Sequence, residues 1–221
     1  MDDEQPRIAI LGAGPIGLEA ALYARYLGYP VEILERSGKP AADVLAKDTE
    51  VIGHFGELAS TLGVSALKAQ NPDWQALAAS TKLSSAEWHD TYLMPLADSD
   101  LIADVLHLNT EVVTIERRDD EEDVSFQIRC RDEQGTESVY EADIVIDATG
   151  IAGNRSWFSA QDADGEWSFL NPEADYYILG GKTRRDGQIT FGEGLAQIRE
   201  LFAILGERDD LDVYATMPPL A

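Results

Sequence analysis

Gly12, Gly14 and Gly17 stand in the spacing G-x-G-x-x-G, and an acid, Glu35, follows at about the 20-residue interval that such a turn requires. Each position has a separate physical role. The first glycine permits a tight turn, the second lets a pyrophosphate approach the backbone, and the third lets a helix pack closely on a strand. A carboxylate at the position of Glu35 can accept hydrogen bonds from both hydroxyls of an adenosine ribose. A 2′-phosphate would meet its charge and be repelled, so the pattern favours FAD or NAD over NADP. Ala13, Pro15 and Ile16 complete the turn, and Arg36 follows the acid.

These residues need a strand before them and a helix and strand after them. Ile8, Ala9, Ile10 and Leu11 form the short apolar run of a strand buried on both faces. Leu18, Ala21, Leu22 and Leu27 give the following helix an apolar stripe, with Ala20 and Ala24 filling between. Gly28 suits the end of that helix and Pro30 prevents its resumption. Val31, Ile33 and Leu34 make a second strand that ends at Glu35. A glycine turn alone would be weak evidence, because purely structural glycine turns are common. The ordered set of strand, turn, helix, stop, strand and acid points to a dinucleotide diphosphate held by the first amides of the helix.

Other chemistry is sparse. His54, His89 and His107 match no metal-ligand spacing, and each reads as a surface or partly buried hydrogen-bonding group. The single cysteine, Cys130, allows neither an internal disulfide nor a C-x-x-C redox pair. Lys182, Arg184 and Arg185 form a small basic cluster that suits either a reduced flavin or pyrophosphate, or a solvated loop. Trp74, Trp88, Trp157 and Trp167 suit core packing better than a flavin pocket, and no residue is assigned a catalytic role.

The chain has 221 residues, 17 basic and 41 acidic, for a net charge of −24. That balance disfavours nucleic acid and anionic membranes as partners. The start MDDEQ lacks a basic leader pattern and no apolar run approaches spanning length, so the expected location is cytoplasmic. The length suits a single domain over 1–221.

Beyond Glu35, residues 40–108 read as a mostly helical excursion. It has a weak helical pattern around Leu67, Trp74 and Leu77, broken at Asn71-Pro72, and a clearer helix over about 84–96 opened by the Ser84/Glu87 capping box. A further short helix is expected from Ser99 to His107. From Thr110 the period becomes two, and residues 110–141 predict an antiparallel meander of three strands. The acidic run Asp119 to Asp123 at its first hairpin reads as a solvated loop rather than a cation site. Asp143–Gly150, DIVIDATG, is a buried strand running into a small-residue turn. Residues 151–175 look irregular, Tyr176–Leu179 is a last strand, and Leu195–Leu205 is an amphipathic helix capped by Gly206. The tail from Glu207 looks loose.

This order of elements, with DIVIDATG and YYILGGKTRRDGQITFGEGLAQIRELFAIL, resembles the FAD domain of glutathione-reductase and flavin-monooxygenase-type flavoproteins. It is most similar to bacterial FAD-dependent oxidoreductases related to lysine and ornithine N-hydroxylases. The resemblance implies a doubly wound parallel α/β sheet with the meander on one face and the excursion near the flavin edge. It implies that Ala148, Thr149 and Gly150 lie beside the cofactor, and that Val112 and Val113 offer backbone to the adenine. The segment 176–206 would carry the flavin, with Gly181, Lys182, Gly194 and Gln197 near the ring or its ribityl chain. Family enzymes insert an NADPH-binding unit before the last strand. The interval from Gly150 to Tyr176 is too short for one, since such a domain needs about 100 residues or more. The Asp that the family places beside the flavin phosphates in the last segment is missing, and Lys182 sits nearby instead. The implied function is an FAD-binding oxidoreductase, monooxygenase-like, taking electrons from free NAD(P)H or from a separate reductase or partner subunit. Two alternatives remain open: a non-catalytic nucleotide-binding accessory protein that has lost its NADPH domain, and a small NAD-dependent dehydrogenase.

Overall fold

The computed structural model describes residues 5–45, 50–119, 124–151, 157–158 and 168–220. The N-terminal residues 1–4, the acidic residues 120–123 and Trp167 lie outside the described residues. The chain begins with β1 (Ile8–Leu11), α1 (Pro15–Tyr26) and β2 (Val31–Leu34). The excursion follows as α2 (Ala42–Leu45), β3 (Val51–His54), α3 (Phe55–Leu58), α4 (Thr61–Gln70), β4 (Lys82–Ser84) and α5 (Ser85–Trp88). A π-helical turn, His89–Leu93, leads to α6 (Met94–Ala97) and β5 (Leu106–His107). The meander is β6 (Glu111–Asp119), β7 (Val124–Arg131) and β8 (Glu137–Ala142). Then come β9 (Ile144–Asp147), β10 (Leu170–Glu173), β11 (Tyr176–Ile178), a 3₁₀ turn at Gly180–Thr183, α7 (Phe191–Leu205) and α8 (Val213–Thr216).

The central sheet has the order β10-β11-β9-β1-β2-β5. Its five strands from β11 to β5 are mutually parallel, and only the edge strand β10 runs the other way. β1 lies between β2 and β9, so the chain builds outward on one side of β1 and later returns to the other. That reversal leaves a crevice at the carboxyl ends of the strands.

Alternation along β1 separates the two cores. Ile8 and Ile10 face a helical layer with Leu18, Ala21 and Leu22 of α1 and Ile198, Leu201 and Phe202 of α7. Ala9 and Leu11 face the meander, where they join Phe126, Ile128 and Cys130 with Val145 and Tyr176. Strands covered on both sides read as unbroken apolar runs, which is why β1, β2 and β9 were legible.

Several elements differ from the sequence reading. The excursion is not purely helical, because β3 and β4 pair as an antiparallel ribbon. Ser99–His107 is a series of turns ending in β5, because β2 recruits its backbone: Ile33 N donates to Val105 O at 2.8 Å and Glu35 N to His107 O at 2.9 Å. The sheet edge overrides a weak helical preference. Helix α4 ends at Gln70 with Asn71 as its C-cap, and residues 72–80 form turns and irregular chain. Within the segment expected to be irregular, β10 pairs with β11. The tail is docked: Val213 is buried and its N–H donates to the Tyr23 hydroxyl at 3.0 Å. Helix α7 starts at Phe191, earlier than the apolar stripe suggests, because Thr190 and Glu193 form a capping box.

Candidate functional site

Leu11 and Leu34, at the carboxyl ends of β1 and β2, floor a cavity of about 320 Å³. Gly12, Gly14 and Pro15 form one wall, and Glu35, Arg36 and Ser37 the next. Ala148, Thr149 and Trp157 also line it, as do Thr110, Glu111 and Val112 and the run Ala41 to Val44. Segments that follow β1, β2 and β9 and the segment that opens the meander therefore meet there.

The three glycines differ in what demands them. Gly12 has φ +93°, and a Cβ there would lie 3.0 Å from Thr149 Cα. A Cβ on Gly17 would lie 1.9 Å from the Gly12 carbonyl oxygen. Both are fixed by the protein itself. Gly14 has φ −73°, open to any residue, and its Cβ position has nothing within 4 Å. Neither a positive φ nor crowding by the described residues requires a glycine here, although glycine is a favoured residue at a helix N-cap. A glycine there would admit the close approach of a ligand to the backbone.

Gly14 is also the N-cap of α1 and supplies no side-chain cap. Pro15 has no N–H, while the amides of Ile16 and Gly17 in the first turn have no intrahelical acceptor. Those amides and the helix dipole favour an anion. The amide of Ala13 is already engaged: it donates to Glu35 Oε2 at 2.7 Å. Ser37 N donates to Glu35 Oε1 at 2.7 Å. A carboxylate has about four acceptor sites, so Glu35 is pinned in the cavity wall with capacity for two further donors. At the mouth, Arg36 Nη2 and Asp43 Oδ2 are 4.0 Å apart, both exposed. Ala41, at φ +50°, donates its N–H to Ala13 O at 2.8 Å and ties α2 to the glycine turn.

Of the residues expected at a cofactor, Gly12, Gly14, Pro15, Glu35, Arg36, Val112, Ala148 and Thr149 line this cavity. Ala13, Ile16, Gly17, Val113 and Gly150 are their chain neighbours and do not. Gly181, Lys182, Gly194 and Gln197 lie outside the lining, and packing accounts for the three uncharged ones. A Cβ on Gly194 would lie 2.1 Å from Ile16 Cδ1, and one on Gly181 would lie 2.7 Å from Gly187 O. Gln197 is buried; its carbonyl accepts from Gly180 N at 2.8 Å and its amide donates to Ser168 O and Thr183 Oγ1. Lys182 reaches Asp147 Oδ2 at 2.9 Å, whereas Arg184 pairs on the surface with Glu193. Ser37, Ala41 to Val44, Thr110 and Glu111 were not anticipated. Their one signal was position, directly after β2 and directly before the meander.

The histidines are engaged locally: His54 with Glu57, His89 with Asp90 and the Pro40 carbonyl, His107 with Glu32. Among the described residues no group of three His, Cys, Asp or Glu could hold a metal. Trp88 is a core residue, donating to Leu58 O at 2.6 Å, while Trp157 borders the cavity. No helix of the described residues is long and apolar enough to cross a membrane.

Residues 7–71 match the family model described as pyridine nucleotide-disulphide oxidoreductase. The match spans β1 through α4, less than a third of the chain. No curated protein matches the sequence. Among solved structures, S-allyl-L-cysteine S-oxygenase from Allium sativum is 18% identical with a TM-score of 0.47, over 66% of this chain and 36% of that one. OTEMO in complex with FAD and NADP is 20% identical with a TM-score of 0.49, over 75% and 29%. Bacillithiol disulfide reductase from Staphylococcus aureus is 18% identical with a TM-score of 0.48, over 66% and 39%. The chain thus spans well under half the length of these proteins. A disulfide reaction through this chain's own thiol has no support in the geometry. Cys130 is buried in β7, and burial pushes its thiol up to about 12.

Proposed function

We propose that this chain is an FAD-binding oxidoreductase domain that holds the adenosine diphosphate half of the cofactor in the cavity at the ends of β1 and β2. The observation that carries the reading is Gly14, an uncrowded glycine of the cavity lining that puts no side chain over the helix-start amides, beside the anchored carboxylate of Glu35. The diphosphate would lie on the first turn of α1, and Glu35 would take the ribose hydroxyls with its two remaining acceptor sites. Thr110 to Val112 would border the adenine end. When bound, a flavin would supply the redox chemistry, and the protein would supply binding and orientation. The match of residues 7–71 to the pyridine nucleotide-disulphide oxidoreductase model supports a dinucleotide cofactor. Electrons would come from free NAD(P)H or from a separate reductase, in a reaction that is monooxygenase-like.

A second reading is a nucleotide-binding accessory role without turnover. It is favoured by the packing of Gly181, Gly194 and Gln197, which keeps those residues of the 176–206 segment out of the cavity lining. Absorption spectroscopy and mass analysis of the native protein, followed by titration with FAD, test the main reading. A flavin spectrum that NAD(P)H bleaches, alone or with cell extract, supports an oxidoreductase. Bound FAD that is never bleached supports the accessory role. Protein that is colourless and whose melting temperature ignores FAD refutes the FAD site.

A further inference from the structure

Asp147 closes β9, the strand beside β1, with its carboxylate wholly shut from solvent. A buried charge persists only where partners meet it. Thr149 donates to Oδ1 twice, from its N–H at 3.0 Å and from its hydroxyl at 2.6 Å. Tyr176 donates to Oδ2 at 3.2 Å. The Lys182 ammonium lies 3.2 and 2.9 Å from the two carboxylate oxygens and also donates to Thr149 Oγ1 at 2.6 Å. One cation therefore bridges a buried acid and the hydroxyl of a cavity-wall residue.

The strands that lead to Thr149 and Lys182 are paired, Ile178 standing opposite Asp147 and Leu179 N donating to Asp147 O at 2.9 Å, and the bridge extends that tie past the strand ends. Lys182 sits in the 3₁₀ turn after β11. Thr149 sits in the turn after β9, with its Cα against the Gly12 position. Trp157, on the cavity rim, has its ring centroid 5.7 Å from Lys182 Nζ, a cation–π contact. A second fastening lies nearby, where Ile151 fills the niche over Gly187: a Cβ there would fall 1.6 Å from Ile151 Cδ1.

Resting on the dinucleotide reading above, we infer that Lys182 is a positioning residue of that site. Its ammonium, by bridging Asp147 and Thr149, holds the Ala148–Thr149 wall against Gly12 and fastens the 180–187 loop to it. Lys182 does not line the cavity and acts through Thr149 and Trp157. A neutral residue of similar shape would fill the space but would leave the wall free to shift, and sites loosen when such supports are removed.

The test uses the full chain, FAD as the probe, and two readouts: affinity by quenching of flavin fluorescence, and amide hydrogen exchange at Thr149 and Gly150. Lys182→Met is expected to weaken FAD binding by about tenfold or more, the usual effect of removing a supporting partner, and to speed that exchange. Lys182→Arg, which can still bridge a carboxylate, is expected to restore most of both. Ile198→Ala, which destabilises the helical layer, is expected to leave affinity unchanged. If Lys182→Met is poorly folded, the double variant Asp147→Asn/Lys182→Met removes the uncompensated charge, folds, and still binds weakly because the bridge is gone. Wild-type affinity and exchange in Lys182→Met, or full recovery of affinity in the double variant, would overturn the inference. Wild-type protein that never binds FAD would refute the dinucleotide reading instead, and the exchange measurement would still decide whether Lys182 holds the wall.

Discussion

Glu19 on α1 is completely buried, and burial pushes its carboxyl up to about 7, the hydrogen bond from Tyr92 pulling the other way. Among the described residues its Oε2 has no hydrogen-bond partner. A folded state that holds the proton more tightly than the unfolded chain loses stability as pH rises between the two values. The interval from the ordinary 4.5 to about 7 is worth about 3 kcal/mol. That loss is nearly absent at about pH 4 and nearly complete at about pH 8. Replacing Glu19 with Gln keeps an acceptor for the Tyr92 hydroxyl and cannot ionise. The difference in unfolding free energy, variant minus wild type, should therefore rise by about 3 kcal/mol from pH 4 to pH 8. Denaturant titrations of both proteins at the two pH values give this difference, and the repulsion from the net charge of −24 largely cancels in it. A difference that is flat with pH, or that falls as pH rises, would refute the reasoning.

Gly14→Ala should cost about 1 kcal/mol or less, the cost of alanine at a helix N-cap with no crowding by the described residues, while weakening FAD binding about tenfold or more in a fluorescence titration. Gly17→Ala should instead lower the melting temperature, because its Cβ meets the Gly12 carbonyl at 1.9 Å. Tyr23→Phe leaves the Val213 amide unpaired and should cost about 1–3 kcal/mol in denaturant unfolding, with α8 the first segment to gain hydrogen exchange. Cys130 should resist alkylation in the native protein at mildly alkaline pH and react at once in denaturant, given its burial and its raised thiol value; fast native labelling would refute the placement of β7.

The parts of the fold that could be read from the sequence are those whose causes are local. β1, the glycine turn, α1 and β2 are specified by adjacent residues, and the Ser84/Glu87 box opens α5 as its spacing requires. The same kind of signal at Thr190 and Glu193 was available and places the start of α7. What escaped depends on distant partners. Leu106 and His107 are a strand because β2 lies beside them, and Leu170–Glu173 is one because β11 does. In the site, the Gly14–Glu35 unit was legible because its residues share one βαβ motif. The contribution of Ala41 to Val44 was not, because it depends on how a loop folds back onto the glycine turn. Lys182 was noticed as a charge in an acidic chain. Its buried partner Asp147, inside an apolar strand, gave no sign of accepting it.

β1 touches β2 almost as soon as both are made, yet its other neighbour, β9, lies more than a hundred residues downstream. During synthesis the glycine turn must therefore wait with one flank bare until residues 144–149 arrive to close it. Any ligand that needs both flanks would grip only the finished chain, so occupancy would report complete assembly and would protect a polypeptide that had reached it from unfolding.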